Sequence, residues 1–74
     1  MELPNIESLI ACDGQITVGN MHPAGYCAVA NDEGNTLAML KRRPDESLLE
    51  LLSRLDQAIE QAVEYEIFTD EVNS

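Results

Sequence analysis

The back half of the chain carries the strongest periodic pattern of apolar residues. These residues recur at alternating spacings of four and three, which places them on one face of an α-helix. The stripe consists of Leu48, Leu52, Leu55, Ile59 and Ala62, widened by Leu51, Ala58 and Val63. Pro44 fits a helix start, and Asp45 and Glu46 suit the positive end of the helix dipole. The pattern predicts a helix over about residues 45–66 and a short tail over 67–74.

The front half alternates short apolar runs with turn residues, a pattern typical of β-hairpins. Leu9 to Cys12 is an apolar run, Asp13-Gly14 is a two-residue turn signal, and Gln15 to Val18 alternates polar and β-branched residues. This order predicts a first hairpin. The next segment, residues 19–25, contains two glycines and a proline and is therefore predicted to be a surface loop.

A second hairpin is predicted from two strand-like runs, Tyr26 to Asn31 and Thr36 to Leu40. They flank Asp32 to Asn35, in which Gly34 can adopt the positive φ that a type I turn with a bulge requires. The two hairpins together cover about residues 8–42.

These elements predict one small α+β domain over residues 1–74. A three- or four-stranded antiparallel sheet should pack one face on the single C-terminal helix. The expected inward-facing residues are Ile10, Ile16, Val18, Val29, Leu37, Met39, Leu48, Leu52, Leu55 and Ile59.

Composition supports a folded chain and narrows its location. Apolar residues make up 45% of the chain, which is ordinary for a globular protein. No apolar run approaches the ~18 residues of a membrane span, and no secretory signal pattern begins the chain. We therefore expect a cytoplasmic protein. Cys12 and Cys27 lack C-x-x-C spacing and are interpreted as core thiols rather than a disulfide.

Charge is the most informative property for function. The chain carries 14 acidic and 4 basic residues, for a net charge of -10, and the acidic ones are concentrated from Asp45 to Glu71. The electrostatic field of a protein with this net charge repels nucleic acid and anionic membranes. It attracts basic protein surfaces, which are often nucleic-acid-binding surfaces. We expect a basic, nucleic-acid-binding protein as the partner, with no direct contact to nucleic acid or membrane.

Motifs for catalysis are absent from the sequence. The glycines form neither a dinucleotide-binding nor a P-loop pattern, and no nucleophile elbow is present. His22 has no companion at metal-ligand spacing, and a loop histidine is most often only solvated. The prediction is a protein that is not an enzyme, with no catalytic residues, no metal and no cofactor.

The exposed face of the predicted helix offers the candidate partner-binding residues, which are Glu50, Asp56, Glu60, Glu64 and Glu66. Asp56, Glu60 and Glu64 follow one another at i, i+4, which costs about 0.2–0.5 kcal/mol per like-charged pair in an isolated helix. One explanation is solubility, and the other is that these carboxylates face lysines and arginines of a partner. The basic run Lys41-Arg42-Arg43 is interpreted as a turn that balances Asp45 and Glu46.

Two resemblances follow from these features. Small size, strong acidity and the lack of catalytic motifs resemble the inhibitors of phages and mobile elements that mimic DNA, including anti-CRISPR and anti-restriction proteins. In addition, the order of hairpin, helix and final strand from Tyr26 to Phe68 is similar to HicB-type antitoxins. Those proteins usually begin the helix with a D-x-x-E-A-like sequence, where this chain has Asp45-Glu46-Ser47-Leu48-Leu49.

The leading hypothesis for function is a non-catalytic, protein-binding inhibitor or modulator whose acidic helix blocks a basic nucleic-acid-binding surface. The alternative is an antitoxin-like or accessory module that binds its partner through a sheet edge or an apolar patch. Both hypotheses are compatible with a monomer or a homodimer.

Overall fold

The computed structural model describes residues 2–73 and has the predicted α+β architecture. Its elements are α1 (Pro4–Ala11), β1 (Gln15–Met21), β2 (Gly25–Asp32), β3 (Asn35–Lys41), α2 (Leu48–Tyr65) and β4 (Thr69–Asp70). The strands form one sheet in the order β1-β2-β3-β4. Neighbouring strands are antiparallel from β1 to β3, whereas the two-residue β4 runs parallel to β3. The sheet is therefore mixed, and a helix that was not predicted precedes it.

The second predicted hairpin is confirmed, with a different turn. Glu33 and Gly34 both have positive φ, 47° and 86°, and Asp32 pairs with Asn35 across them. Two central residues with positive φ characterise the two-residue type I′ turn, whose twist matches that of the flanking strands. The bulge lies farther along: Ala30 pairs with Ala38 and Asn31 with Thr36, which leaves Leu37 as the extra residue of β3.

The first predicted hairpin is wrong, because Leu9 to Cys12 belongs to the end of α1 rather than to a strand. Asp13 has φ 66°, its N–H donates to the Ile10 carbonyl (3.1 Å), and the Gly14 N–H donates to the Leu9 carbonyl (2.8 Å). This is the Schellman pattern that ends a helix. Asp13-Gly14 therefore serves as a helix stop, a role its residue types suit as well as a hairpin turn.

The predicted loop over residues 19–25 is mostly strand. Gly19 pairs with Cys27, Asn20 with Tyr26, and Met21 with Gly25. The turn shrinks to His22, Pro23 and Ala24. Ladder pairing with β2 overrides the weak strand propensity of glycine and asparagine at these positions.

The C-terminal helix is confirmed, but it begins at Leu48 rather than near residue 45. Ser47 is the N-cap and forms a capping box with Glu50, so the start is set by the S-x-x-E pattern. The helix ends at Tyr65, and Glu66 follows in the left-handed conformation with φ 55°. This end lies within the predicted range.

The core lies between α2 and one face of the sheet, with α1 beside α2. On that face β2 and β3 present the small residues Ala28, Ala30 and Ala38 together with Leu40, and α2 presents its larger apolar side chains. Small residues on the sheet leave room for the large ones on the helix. The buried apolar residues of α2 are Leu51, Leu55, Ala58, Ile59 and Ala62.

The predicted core residues are only partly correct. Val29, Leu37, Leu55 and Ile59 are buried, whereas Ile16, Val18, Met39 and Leu52 are half-buried. Ile10 and Leu48 are about half exposed, at 49% and 48%. In α1 the buried residue is Leu9 rather than Ile10, and the buried stripe of α2 is centred on Leu51 and Leu55 rather than on Leu48. The pairing also places Val29 and Met39 on the sheet face away from the helices, opposite in phase to Ala28 and Leu40.

The tail, the cysteines and the length of the helices can also be compared with the sequence-based expectations. The final strand, β4, forms just after Ile67 and Phe68, which are both exposed. The predicted tail ends at Ser74, which lies outside the described residues. Cys27 is buried as expected, and both thiols are free. The interpretation of Cys12 as a core thiol is wrong, because it lies at the exposed end of α1. Within the part of the chain that the structure describes, neither helix has the length and apolar character to cross a bilayer.

Leu55→Ala should destabilise the protein by about 2–5 kcal/mol, because Leu55 is fully buried and its truncation leaves a cavity. Leu49→Ala, on the exposed side of the same helix, is the matched control and should change stability by less than about 0.5 kcal/mol. Chemical denaturation followed by circular dichroism measures both. Equal unfolding curves for the two variants would show that the buried face of α2 is assigned wrongly.

Candidate protein-binding surface

Glu50, the first predicted partner-binding residue, is committed to the start of α2. Its Oε1 accepts a hydrogen bond from the Ser47 N–H (2.9 Å), while the Ser47 hydroxyl accepts one from the Glu50 N–H (3.1 Å). The hydrogen bond from the Ser47 N–H lowers the pKa of the Glu50 carboxyl below its usual value. Glu50 is exposed, but its carboxylate already has a structural role.

Asp56, predicted to lie on the exposed acidic face, is only 7% exposed. Its Oδ1 accepts hydrogen bonds from the backbone N–H groups of Asn5 (2.8 Å) and Ile6 (2.9 Å), and its Oδ2 accepts one from the Asn5 side-chain amide (2.9 Å). The carboxylate therefore caps the first turn of α1, whose N–H groups have no partner within the helix. The interpretation of Asp56 as a solvent-facing contact residue is wrong.

Arg54 occupies the other polar cluster of α2. Its Nε and Nη2 donate to Glu46 Oε2 (2.6 Å) and Oε1 (2.8 Å), and its Nη1 donates to Glu71 Oε2 (3.1 Å). Nη2 also donates to the Lys41 carbonyl (2.9 Å). This guanidinium therefore joins the end of β3, the connection to α2 and the C-terminal segment. Paired contacts of this kind are the strongest geometry available to an arginine.

Glu46 is the buried partner in this cluster, at 7% exposure. The hydrogen bonds from the Arg54 guanidinium lower the pKa of the Glu46 carboxyl from 4.5 to about 2. A further hydrogen bond comes from the Arg43 N–H (3.1 Å). Sequence reasoning matched Glu46 with the run Lys41-Arg42-Arg43, but the side chain that pairs with it comes from α2, eight residues away.

The basic run has a smaller role than its charge suggested. The Arg42 Nε donates to the Glu46 carbonyl (2.6 Å), and its guanidinium lies 5.5 Å from the centroid of the Tyr26 ring, within cation–π range. The first contact lies within the β3–α2 connection, and the second holds this connection against Tyr26 of β2. Among residues 2–73, neither Lys41 nor Arg43 forms a salt bridge with Asp45 or Glu46.

The other three predicted contact residues, Glu60, Glu64 and Glu66, are exposed. Glu60 and Glu64 lie one turn apart on α2, and Glu66 is the residue that ends it. Among residues 2–73, the side chains of these three residues form no hydrogen bond or salt bridge. Glu64 and Glu66 also lie near the negative end of the helix dipole, where anions are unfavourable. We name Glu60, Glu64 and Glu66 the acidic triad.

Large apolar side chains are exposed beside the acidic triad. Val63 is 65% exposed and Phe68 60%, and Tyr65 and Ile67 are also more than half exposed. The Ile67 N–H donates to the Gln61 carbonyl (3.1 Å), which turns the chain back over the end of α2. Sequence reasoning assigned Val63 to the buried stripe and missed this patch. The apolar run at residues 67–68 after the helix was its only signal.

Two surface grooves meet at this patch. One, of about 610 Å³, lies between the end of α2 and the start of β3, with Leu37, Val63, Glu66 and Phe68 in its wall. The other, of about 310 Å³, lies between α1 and α2, with Leu9, Ile59, Val63 and Glu64 in its wall. Asp32 and Val63 line both. Both grooves have apolar and acidic side chains in their walls. We name the two grooves, the exposed apolar patch and the acidic triad together the α2 surface.

The α2 surface combines exposed apolar side chains with exposed carboxylates. It offers apolar area for burial and carboxylates for arginine or lysine. His22, the lone histidine, is exposed in the β1–β2 turn. In the part of the chain that the structure describes, no three His, Cys, Asp or Glu side chains are grouped to hold a metal ion.

Comparison with known proteins adds no family to this description. No family model matches the chain, and no curated protein or solved structure is significantly similar to it.

Asp56→Ala should destabilise the protein by about 1–3 kcal/mol, because it leaves the first N–H groups of α1 without their acceptor. Glu60→Ala, one turn along α2 and exposed, removes a carboxylate without removing a hydrogen bond and should change stability by less than about 0.5 kcal/mol. Urea unfolding of both variants gives the comparison. Equal stabilities would contradict the capping role of Asp56.

The Glu46–Arg54 pair should make the free energy of unfolding depend on pH in the acidic range. The folded-state pKa of Glu46 is lowered to about 2 from 4.5, so its contribution is complete above pH 4.5 and is lost as the pH falls toward 2. Glu46→Gln should be less stable at neutral pH and lose less stability over that interval than the parent. Arg54→Gln should have the same effect, because it removes the partner. Denaturation at stepped pH measures the slopes, and a parent slope retained in both variants would contradict this assignment.

Proposed function

We propose that the protein is a non-catalytic inhibitor or modulator that acts in the cytoplasm by binding another protein. Its α2 surface occupies a basic surface that otherwise holds nucleic acid, with the carboxylates of the acidic triad in the place of phosphates. The observation that carries this proposal is the division among the acidic residues. Glu46 and Asp56 are used by the fold, whereas the acidic triad is exposed and without a side-chain partner among residues 2–73.

The energetics of the helix support a role for the triad outside the fold. Glu60 and Glu64 are like charges at i, i+4, and their repulsion costs about 0.2–0.5 kcal/mol. The end of the helix adds a further unfavourable interaction with the dipole. A partner arginine or lysine converts both effects into favourable ones. Solubility alone needs negative charge, but it does not need it at this end of the helix.

The exposed apolar side chains beside the acidic triad add a hydrophobic contribution to the binding free energy. Exposed charges mainly raise the rate of association and are screened by salt. Val63 and Phe68 can be buried on binding, and large apolar side chains at the centre of an interface usually dominate the affinity. The fitting partner therefore presents lysines or arginines around an apolar side chain.

The alternative is an antitoxin-like or accessory module in which the apolar patch carries the interaction and the charges serve solubility. The exposure of Val63, Tyr65, Ile67 and Phe68 favours this candidate, because exposed apolar patches often mark interaction sites. The two candidates use one surface and differ in how binding responds to salt and to charge removal.

The deciding experiment begins by identifying the protein that copurifies with this chain from its native cells. Binding of the purified pair is then measured at several salt concentrations. Glu60, Glu64 and Glu66 are replaced together by glutamine, which should leave the protein folded but slow its association by about tenfold or more and flatten the salt dependence. The matched control, E2Q with E7Q and D45N, changes the charge equally at exposed positions that line neither groove.

Two outcomes separate the candidates. If the triad variant binds like the parent while Val63→Ala with Phe68→Ala does not, the apolar module is correct and mimicry is wrong. If the triad variant fails and the partner is displaced from the parent by nucleic acid, the mimicry proposal holds. Thermal melts of each variant confirm that the protein is folded before binding is interpreted.

A further inference from the structure

One long segment of the chain contains no acidic residue, lysine or arginine. From Gly14 to Asn31 the sequence contains no aspartate, glutamate, lysine or arginine, although the net charge is -10. This uncharged segment comprises β1, the turn that follows it and most of β2. Along this segment two copies can approach without direct repulsion between acidic side chains of the segment itself.

The segment also contains an open sheet edge. β1 is the first strand in the order β1-β2-β3-β4, so its far side has no neighbour among residues 2–73. Alternate residues of an antiparallel edge strand direct their N–H and C=O groups outward. In residues 2–73, no backbone hydrogen bond from β1 is made except to β2. β1 contains no lysine, proline or charge of the kind that natural edge strands use to prevent pairing.

Gly19 lies within β1 with φ 144°, and apart from its chain neighbours no heavy atom comes within 4 Å of the position a Cβ would occupy. A Cβ projects from the face of a sheet rather than from its edge, so this space lies over the sheet face. A strand that pairs with β1 therefore meets no side chain at this position.

We infer that β1 is a dimerisation edge, where β1 of one copy pairs antiparallel with β1 of a second copy across a two-fold axis. A two-fold interface uses the same patch on both subunits, and an antiparallel strand is complementary to itself. With the axis at Val18, the middle of β1, Thr17 of one copy lies opposite Gly19 of the other. The two sheets then join into one, and the half-buried Ile16 and Val18 are covered further.

The charge distribution favours this antiparallel arrangement over a parallel one. Asp13 and Asp32 lie at the same end of the β1–β2 hairpin, since Gln15 pairs with Asn31. Antiparallel pairing puts these acidic ends at opposite ends of the new strand pair, more than about 20 Å apart at about 3.4 Å per residue. This exceeds the screening length of about 8 Å at physiological salt. Parallel pairing would bring them together.

The inference goes beyond the proposed function and does not depend on it. The residues that line the two grooves lie on or beside α1 and α2, at the end of β2 and at the start of β3, and none lies on β1. A dimer formed through β1 therefore presents two α2 surfaces and can bind two basic sites at once.

The test is sedimentation velocity over a range of protein and salt concentrations. Because the two copies are each strongly acidic, their association should strengthen as salt rises, the opposite of binding to a basic partner. Thr17→Lys places a charge in the middle of the edge and should weaken dimerisation by about tenfold or more. Thr36→Lys is the matched control, an exposed strand threonine on β3, and should dimerise like the parent.

Amide hydrogen exchange provides a measurement that does not need a variant. Exchange at β1 should slow as the parent protein is concentrated, while exchange at the ends of α2 stays constant. A parent that remains monomeric at high salt and high concentration would overturn the inference. So would a dimer that Phe68→Ala dissociates and Thr17→Lys does not, because it would place the contact on the α2 surface.

Discussion

The structure depends on the way α2 holds both ends of the chain with two polar side chains two residues apart. Asp56 binds the first N–H groups of α1, and Arg54 binds Glu46 and the C-terminal Glu71. An 8.2 kDa chain has little apolar surface to bury, so such contacts contribute a large share of its small net stability. Once they fix α2, the helix covers the alanine-rich face of the sheet and leaves its last turns exposed.

Local patterns in the sequence were sufficient to predict the elements whose partners are close in the chain. The β2–β3 hairpin and α2 follow from alternation, turn residues and helical spacing, and each was found. The helix α1 was missed because its end, Leu9 to Cys12 followed by Asp13-Gly14, also fits a hairpin. The contact that holds the start of α1 comes from Asp56, 51 residues from Asn5, and no local pattern contains it.

The same limit explains the candidate site. Glu60, Glu64 and Glu66 could be predicted as exposed because helical spacing places them off the apolar stripe. Asp56 has similar spacing, since it is four residues from Glu60, yet it is also three from the buried Ile59 and lies at the border of the two faces. A side chain at such a border is buried only if another element packs against it, and α1 packs against Asp56. The apolar patch was missed because Val63 could be assigned to either face.

The net charge therefore separates into parts with different physical roles. Glu46, Asp56 and Glu71 are held by hydrogen bonds, so they are unavailable to a partner without loss of stability. The acidic triad has no such commitment, and the segment from Gly14 to Asn31 has no acidic charge at all. The overall charge of -10 therefore overstates the number of carboxylates that the fold leaves without a structural contact. The acidic triad lies on the last turns of α2 and just after them, whereas the uncharged segment lies on β1 and β2, so the two features occupy different elements of the fold.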